Sequence, residues 1–295
     1  MANLGIVGLG HMGLPMALNL IKAGHQVTGF DLDLQALENL HQAGGKLASN
    51  LKDLALNQDI IITMLQTGEQ VQQVCLGDQG LFAYAKENCL YIDCSSIDVK
   101  TSRNLHQQAA LQKLLAVDAP VSGGVAGAIA GTLTIMVGGD DEAFLQAQTL
   151  LTDLAKKIIH TGPAGSGQAA KICNNMILGV SMIAVSEAFV LAEQLGLSAK
   201  KLFEVVTNSS GQCWAMSHYA PVPGVLPNTP ANNDYQPGFT AAMMLKDLNL
   251  SQNAAAEVTV QTPLGAQAAA LYQRFIEENN SNLDFSAIIK IIAKG

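Results

Sequence analysis

The chain has 295 residues, 49% of them hydrophobic and 14% charged, with a formal net charge of −8. That length suits two domains, and the apolar fraction is ample for a large core. With 16 Lys and Arg against 24 Asp and Glu and no basic tract, the composition argues against the clustered basic face of a nucleic-acid binder.

In chain order, residues 3–8 (NLGIVG) predict a short buried strand and residues 13–23 carry helix spacing. GHQVTGFD (24–31) predicts a turn and a second strand, and LQALENLHQAG a helix. QDIIITML (58–65), CLYIDCSS (89–96), LLAVDAPVSGG (114–124) and GTLTIMVGG (131–139) predict further strands. Strands alternating with helices imply a parallel, doubly wound sheet with right-handed connections. After IIHTGPAGSG (158–167) the pattern changes. Residues 168–195 form one long helical stretch, and no convincing strand follows. The expected division is 1–163 for an α/β domain and 164–295 for an all-α domain joined to it by the long helix. Residues 209–239 stand out as a proline-rich insert holding the only tryptophan; a long irregular loop of this kind is usually functional or disordered.

The five cysteines are odd in number and form no CxxC pair, which points away from disulfides or a cysteine zinc site and toward a reducing, cytoplasmic setting. Cys173 and Cys213 read as small buried hydrophobes. The six histidines show no metal-ligand spacing, so no metal is expected. The N-terminus lacks the basic region of a signal peptide. The uncharged run Ile172–Ser186 contains Asn174, Asn175, Ser181 and Ser186, and reads as a buried helix of a soluble protein, not a membrane span.

The loop Gly8-Leu9-Gly10-His11-Met12-Gly13 joins the first strand to the first helix. Glycines at this spacing allow a tight turn, close approach of a pyrophosphate and close helix–strand packing. The helix N-terminus then offers free N–H groups to phosphate oxygens. Asp31 ends the second strand, where a carboxylate accepts hydrogen bonds from ribose hydroxyls and repels a 2′-phosphate. The expected cofactor is therefore NAD, with Gly8 through Gly13 and Asp31 in contact with it. The bland alternative is a structural glycine turn with Asp31 as a cap.

Taken together with DAPVSGG (118–124), GSGQAAKICNN (165–175) and the Lys246-Asp247 pair, GLGHMGLPMALNLIKAGH (8–25) resembles the β-hydroxyacid dehydrogenase family over essentially the whole chain. Within it, SSGQCWAMSHYAPVPGV and ANNDYQPGF look like the 3-hydroxyisobutyrate dehydrogenase branch. The resemblance implies an N-terminal Rossmann domain, a linking helix and a helical domain that helps form a homodimer or homotetramer. It implies NAD-dependent oxidation of a short 3-hydroxy acid to its semialdehyde, a step of valine degradation in that branch. By position, Lys171 matches the catalytic lysine and Asn175 the residue that positions substrate beside it. Ser122, Gly123 and Gly124 match the loop that holds the substrate carboxylate. Ser96 matches a hydroxyl near the nicotinamide, where the family often has Thr, and Met64 and Leu65 match a cofactor loop. Lys246, with Asp247 beside it, matches a second lysine where cofactor and substrate meet. Trp214, Tyr219 and Phe239 lie in the insert and are expected to shape the pocket.

The chemistry asks for the same groups. Alcohol oxidation needs a base for the hydroxyl proton and a cation for the developing alkoxide, and a lysine serves both if burial and a neighbouring cation ease its deprotonation. Lys171 and Asn175 are four apart, and so share a helix face, with Asn174 adjacent. A snorkelling Lys171, a surface Lys246–Asp247 pair and core roles for Trp214 and Tyr219 are the bland alternatives. Rival functions are the same chemistry on L-serine or tartronate semialdehyde, and a non-catalytic NAD-binding protein. Neither nucleic acid nor membrane is an expected partner.

Overall fold

Strands β1 (Asn3–Val7), β2 (Gln26–Phe30), β3 (Lys46–Leu47), β4 (Ile60–Thr63), β5 (Leu90–Asp93) and β6 (Leu115–Asp118) form the parallel part of one sheet in a computed structural model that describes residues 1–294. β1, β4, β5 and β6 read as short apolar runs because both faces of the sheet are covered. Ile6, Ile62, Ile92 and Val117 point into one core, with Met16 and Leu20 of the helix Gly13–Lys22. Val7, Ile61, Tyr91 and Ala116 point into the other, with Leu54 and Val71. Strand neighbours run β3-β2-β1-β4-β5-β6, so the order reverses between β1 and β4. In open α/β sheets, ligands bind at the carboxyl ends of the strands flanking such a reversal.

β7 (Val121–Ser122), β8 (Leu133–Gly138) and β9 (Ala155–Gly162) extend the sheet. β6 and β7 pair with β8 antiparallel, and β9 pairs with β8 in parallel. The sheet is therefore mainly parallel, with antiparallel pairings at one end. The sequence reading continued a single strand through 114–124; in the structure β6 ends at Asp118 and β7 is a separate short strand. β9 was not anticipated. Its AKKIIHTG sequence has no clean apolar period, and the strand exists through its pairing with β8, across two register shifts.

The chain divides into two compact units, Met1–Lys171 and Ile172–Gly295, with the helix Ser166–Gln194 running across the division. The second unit is helical. The helices Ala241–Glu257 and Pro263–Phe275 share a core built around Met182, Phe189, Met244, Leu248, Tyr272 and Phe285. The insert is ordered: Trp214–Tyr219 is a short helix and Pro230–Asn232 a 3₁₀ turn. The long helix has 29 residues, enough by length and composition to cross a membrane, and 44% of its most apolar window (mean hydropathy 1.8) is buried within the protein. Cys173 on this helix is exposed and Cys213 half-buried, contrary to the reading of both as buried. Cys75, Cys89 and Cys94 are the buried ones, and burial pushes the Cys89 thiol up to about 12.

Candidate active site

The glycine loop sits at the carboxyl end of β1, beside the β1–β4 reversal. Gly8 has φ +94°, and a Cβ there would lie 2.3 Å from the Met64 carbonyl oxygen. A Cβ on Gly13 would lie 1.9 Å from the Gly8 carbonyl oxygen, so the helix starts against the loop. At Gly10 a Cβ would meet nothing within 4 Å. Two glycines are thus required by the protein's own packing, and the third leaves open a backbone edge that a pyrophosphate needs. The helix Gly13–Lys22 has no side-chain cap; within its first turn Leu14 N donates to Gly10 O at 3.1 Å and Pro15 has no N–H, so an anion would meet the main-chain N–H groups of the loop ahead of Leu14. Leu9 and His11 differ: the Leu9 side chain is buried in the core, and His11 is exposed. Asp31 Oδ2 accepts from Leu9 N at 2.5 Å and Oδ1 from Asp33 N at 2.9 Å. The carboxylate ties the end of β2 to the glycine loop. Loop, helix start and acidic strand end together fit a dinucleotide.

Met64 and Leu65 follow β4 and are half-buried. Met64 N donates to Val7 O at 2.9 Å, and Leu65 N donates to the Ser95 hydroxyl at 2.9 Å. Ser96 is half-buried just beyond β5. Below it lies a row of buried polar side chains at the carboxyl ends of three adjacent strands, Thr63, Asp93 and Asp118, in register with one another. Burial, together with the nearby Asp118, pushes the Asp93 carboxyl up to about 6, although Ser95 and Thr63 donate hydrogen bonds to it.

Lys171 is 8% exposed and its Nζ donates to the Val121 carbonyl at 2.9 Å. The structure thus brings Lys171 to the strand that leads into Ser122, Gly123 and Gly124. Gly123 and Gly124 have φ +135° and +61°, a turn that side-chain-bearing residues rarely adopt. The helix start that carries Lys171 is itself held by Asp118, whose oxygens accept from Gly165 N at 2.7 Å, Gln168 N at 2.9 Å and His106 Nε2 at 3.0 Å. A carboxylate at this position satisfies orphan helix donors and matches the helix dipole.

In the helical unit, Asn175 is 2% exposed. Its amide nitrogen donates to Asp247 Oδ2 at 2.5 Å, and its oxygen accepts from Asn174 at 3.0 Å. Asp247 is buried, and Lys246 Nζ lies 3.6 Å from its other oxygen, so this is not an exposed surface pair. The Tyr219 hydroxyl donates to Asp284 Oδ2 at 3.0 Å, and its ring stacks on Trp214 and Phe285. Phe239 packs edge-on to Phe285. Trp214 is half exposed. Tyr219 and Phe239 therefore take part in the packing of the insert, and the half-exposed Trp214 has the rings of Tyr219 and His218 stacked on it.

Sequence reasoning missed Asp93, Ser95, Asp118, Gln168 and Asp284. Gln168 had a signal: an amide in the otherwise apolar approach to Lys171. Among the described residues, no group of three His, Cys, Asp or Glu side chains is placed to hold a metal.

Residues 3–162 match the family model described as the NAD binding domain of 6-phosphogluconate dehydrogenase, and residues 165–292 the one described as NAD-binding of NADP-dependent 3-hydroxyisobutyrate dehydrogenase. The chain is 47% identical to a probable 3-hydroxyisobutyrate dehydrogenase of Mycobacterium tuberculosis, over 98% of this chain and 97% of the relative. It is 44% identical to an NAD-dependent L-serine dehydrogenase of Pseudomonas aeruginosa, over 99% and 98%. A solved structure of a 3-hydroxyisobutyrate dehydrogenase of Mycobacterium tuberculosis with L-serine superposes with a TM-score of 0.94, covering 99% of each chain at 47% identity.

Proposed function

The chain belongs to the 3-hydroxyisobutyrate dehydrogenase family of NAD-binding oxidoreductases, and from that premise we propose that it oxidises 3-hydroxyisobutyrate to methylmalonate semialdehyde with NAD, as in valine degradation. The observation that carries this reading is similarity running the length of the chain, insert included, to a relative of that name. NAD supplies the hydride acceptor when bound. Lys171 takes the hydroxyl proton as general base and stabilises the alkoxide, steps of a kind that contribute about 10²–10⁴ in rate. The Val121 carbonyl aims its Nζ, which must be the neutral amine to take the proton and becomes the ammonium that faces the alkoxide, beside the Ser122–Gly124 turn, which receives the substrate carboxylate. Asn175, held by Asp247, orients the substrate hydroxyl, and Lys246 adds positive charge. Asp31 favours NAD over NADP because a carboxylate repels a 2′-phosphate.

L-Serine is the second reading. A 44% identical relative is an L-serine dehydrogenase, and the superposed structure contains L-serine. A pocket discriminates weakly between a methyl group and a small polar one. The same active-site assignment serves both substrates.

The protein acts in the cytoplasm as a homo-oligomer in this reading. Ile177, Ala184 and Leu191 recur every seventh residue on the long helix, all exposed, with Ile177 at 64% and Leu191 at 60%. A second copy of the chain is the occupant that would cover such a stripe, since the heptad spacing suits a helix of like pattern.

The test is NADH production from 3-hydroxyisobutyrate, L-serine and D-glycerate by the purified protein and by Lys171→Ala. Turnover of 3-hydroxyisobutyrate that is lost in the variant, with NAD binding retained, is the expected result. Turnover of serine alone would transfer the assignment to the second reading, and full activity in Lys171→Ala would remove the lysine from the mechanism.

A further inference from the structure

We propose that Gln168 is a positioning residue that locks the segment bearing Ser96 to the helix bearing Lys171, an inference resting on the roles given to those two residues above. Gln168 is fully buried. Its Nε2 donates to the Ser95 carbonyl at 2.8 Å, and its Oε1 accepts from the Ile97 N–H at 3.1 Å. The amide thereby pairs with the main chain on both sides of Ser96, as a neighbouring strand would. Three residues on, on the same helix face, stands Lys171.

Each end of this link is itself fixed. The main-chain N–H of Gln168 is held by Asp118. The neighbouring Gly167 leaves no slack, since a Cβ there would lie 2.5 Å from the Met136 carbonyl oxygen and 2.7 Å from that of Asp118. At the other end, Ser95 N donates to Asp93 at 3.0 Å, and the Ser95 hydroxyl receives Leu65 N. The glutamine therefore joins two cofactor-side segments, 64–65 and 95–97, to the first turn of the long helix. The link needs a donor and an acceptor on one planar group. A carboxylate offers no donor, and an apolar side chain offers neither. An error of about 1 Å in such a setting costs on the order of 100-fold in rate.

The experiment is a double-mutant cycle read first by NADH affinity, from fluorescence titration of wild type, Gln168→Met, Ser96→Ala and the double variant. Methionine keeps the volume of Gln168 and removes both hydrogen bonds. Expected is a loss of about fivefold or more in NADH affinity in Gln168→Met, with Ser96→Ala costing little further in that background. Turnover should fall about tenfold or more in kcat while substrate KM stays within about threefold. Equal effects of Ser96→Ala in both backgrounds, or a Gln168→Met protein that loses thermal stability and keeps the wild-type kcat per folded molecule, would overturn the proposal. Gln168→Asn keeps donor and acceptor on one planar group, introduces no buried charge, and is one methylene too short to reach both Ser95 and Ile97. It should show the same coupling at smaller size, and it decides the matter if the methionine variant does not fold. NADH binding by the wild type without turnover of any 3-hydroxy acid would remove the substrate assignment and leave this cycle decisive for Gln168.

Discussion

Asp118 in the N-terminal unit and Asp284 in the helical unit are both buried carboxylates, 1% and 0% exposed, that gather donors from segments distant in sequence. Asp284 takes Gly238 N, Phe239 N, Ser286 N and the hydroxyls of Tyr219 and Ser286. Asp118 takes Gly165 N, Gln168 N and His106. Their geometry is alike, and what they hold differs. Asp284 ties the last residues of the insert, Gly238 and Phe239, and its short helix at Tyr219 to the turn Phe285–Ile288, whereas Asp118 fixes the start of the helix that presents Lys171. Buried carboxylates of this kind set the path of the chain; whether chemistry depends on them is decided by which side chains that path carries.

The comparison can be broken by exchanging the two effects. Asp284→Ala leaves three main-chain N–H groups and two hydroxyls without their acceptor. At about 1–3 kcal/mol for each buried donor that water cannot reach, a loss of several kcal/mol is expected, with early unfolding of the helical unit in calorimetry. NADH affinity of the folded protein should be unchanged. Asp118→Asn keeps two acceptor lone pairs and the shape, and should cost about 2–3 kcal/mol. Here kcat should fall by about tenfold or more, because the register of Lys171 depends on it. A kcat loss in Asp284→Ala as large as in Asp118→Asn would erase the distinction.

Asp93 sharpens it through pH. In the folded protein its carboxyl titrates near 6, against 3.8 in the unfolded chain, chiefly because of burial. Between those values the folded state holds a proton that the unfolded chain has lost. Stability contributed by this group is therefore full below about pH 4, falls as pH rises to about 6, and stays reduced above, by about 3 kcal/mol. Asp93→Asn should flatten that fall in denaturant titrations at pH 4 to 7; an unchanged slope would assign it to other groups. The smallest effect belongs to Tyr219→Phe, which removes one hydroxyl donor from Asp284 and should cost about 1 kcal/mol with kcat unchanged. A large change in kcat or KM there would return Tyr219 to the substrate pocket.

The sequence by itself determined the elements and the glycine loop. Short apolar runs alternating with helical periods, and glycines where backbone needs a positive φ or a close approach, are local signals, and Gly8, Gly13 and Asp31 could be read from them. The lone Lys171 with Asn175 one turn later was legible for the same reason, since both lie on one helix. β9 was not legible, because its apolar residues show no period and only pairing with β8 makes it a strand. The partners of Asp93, Asp118, Gln168 and Asp284 were hidden as well. Gln168 meets Ser95 and Ile97 from more than 70 residues away, and Asp284 meets Tyr219 from 65. Hydrogen bonds between residues that distant leave no period in the chain. They arise because buried main-chain N–H and C=O groups must find partners, and only the folded path decides which side chain stands within reach.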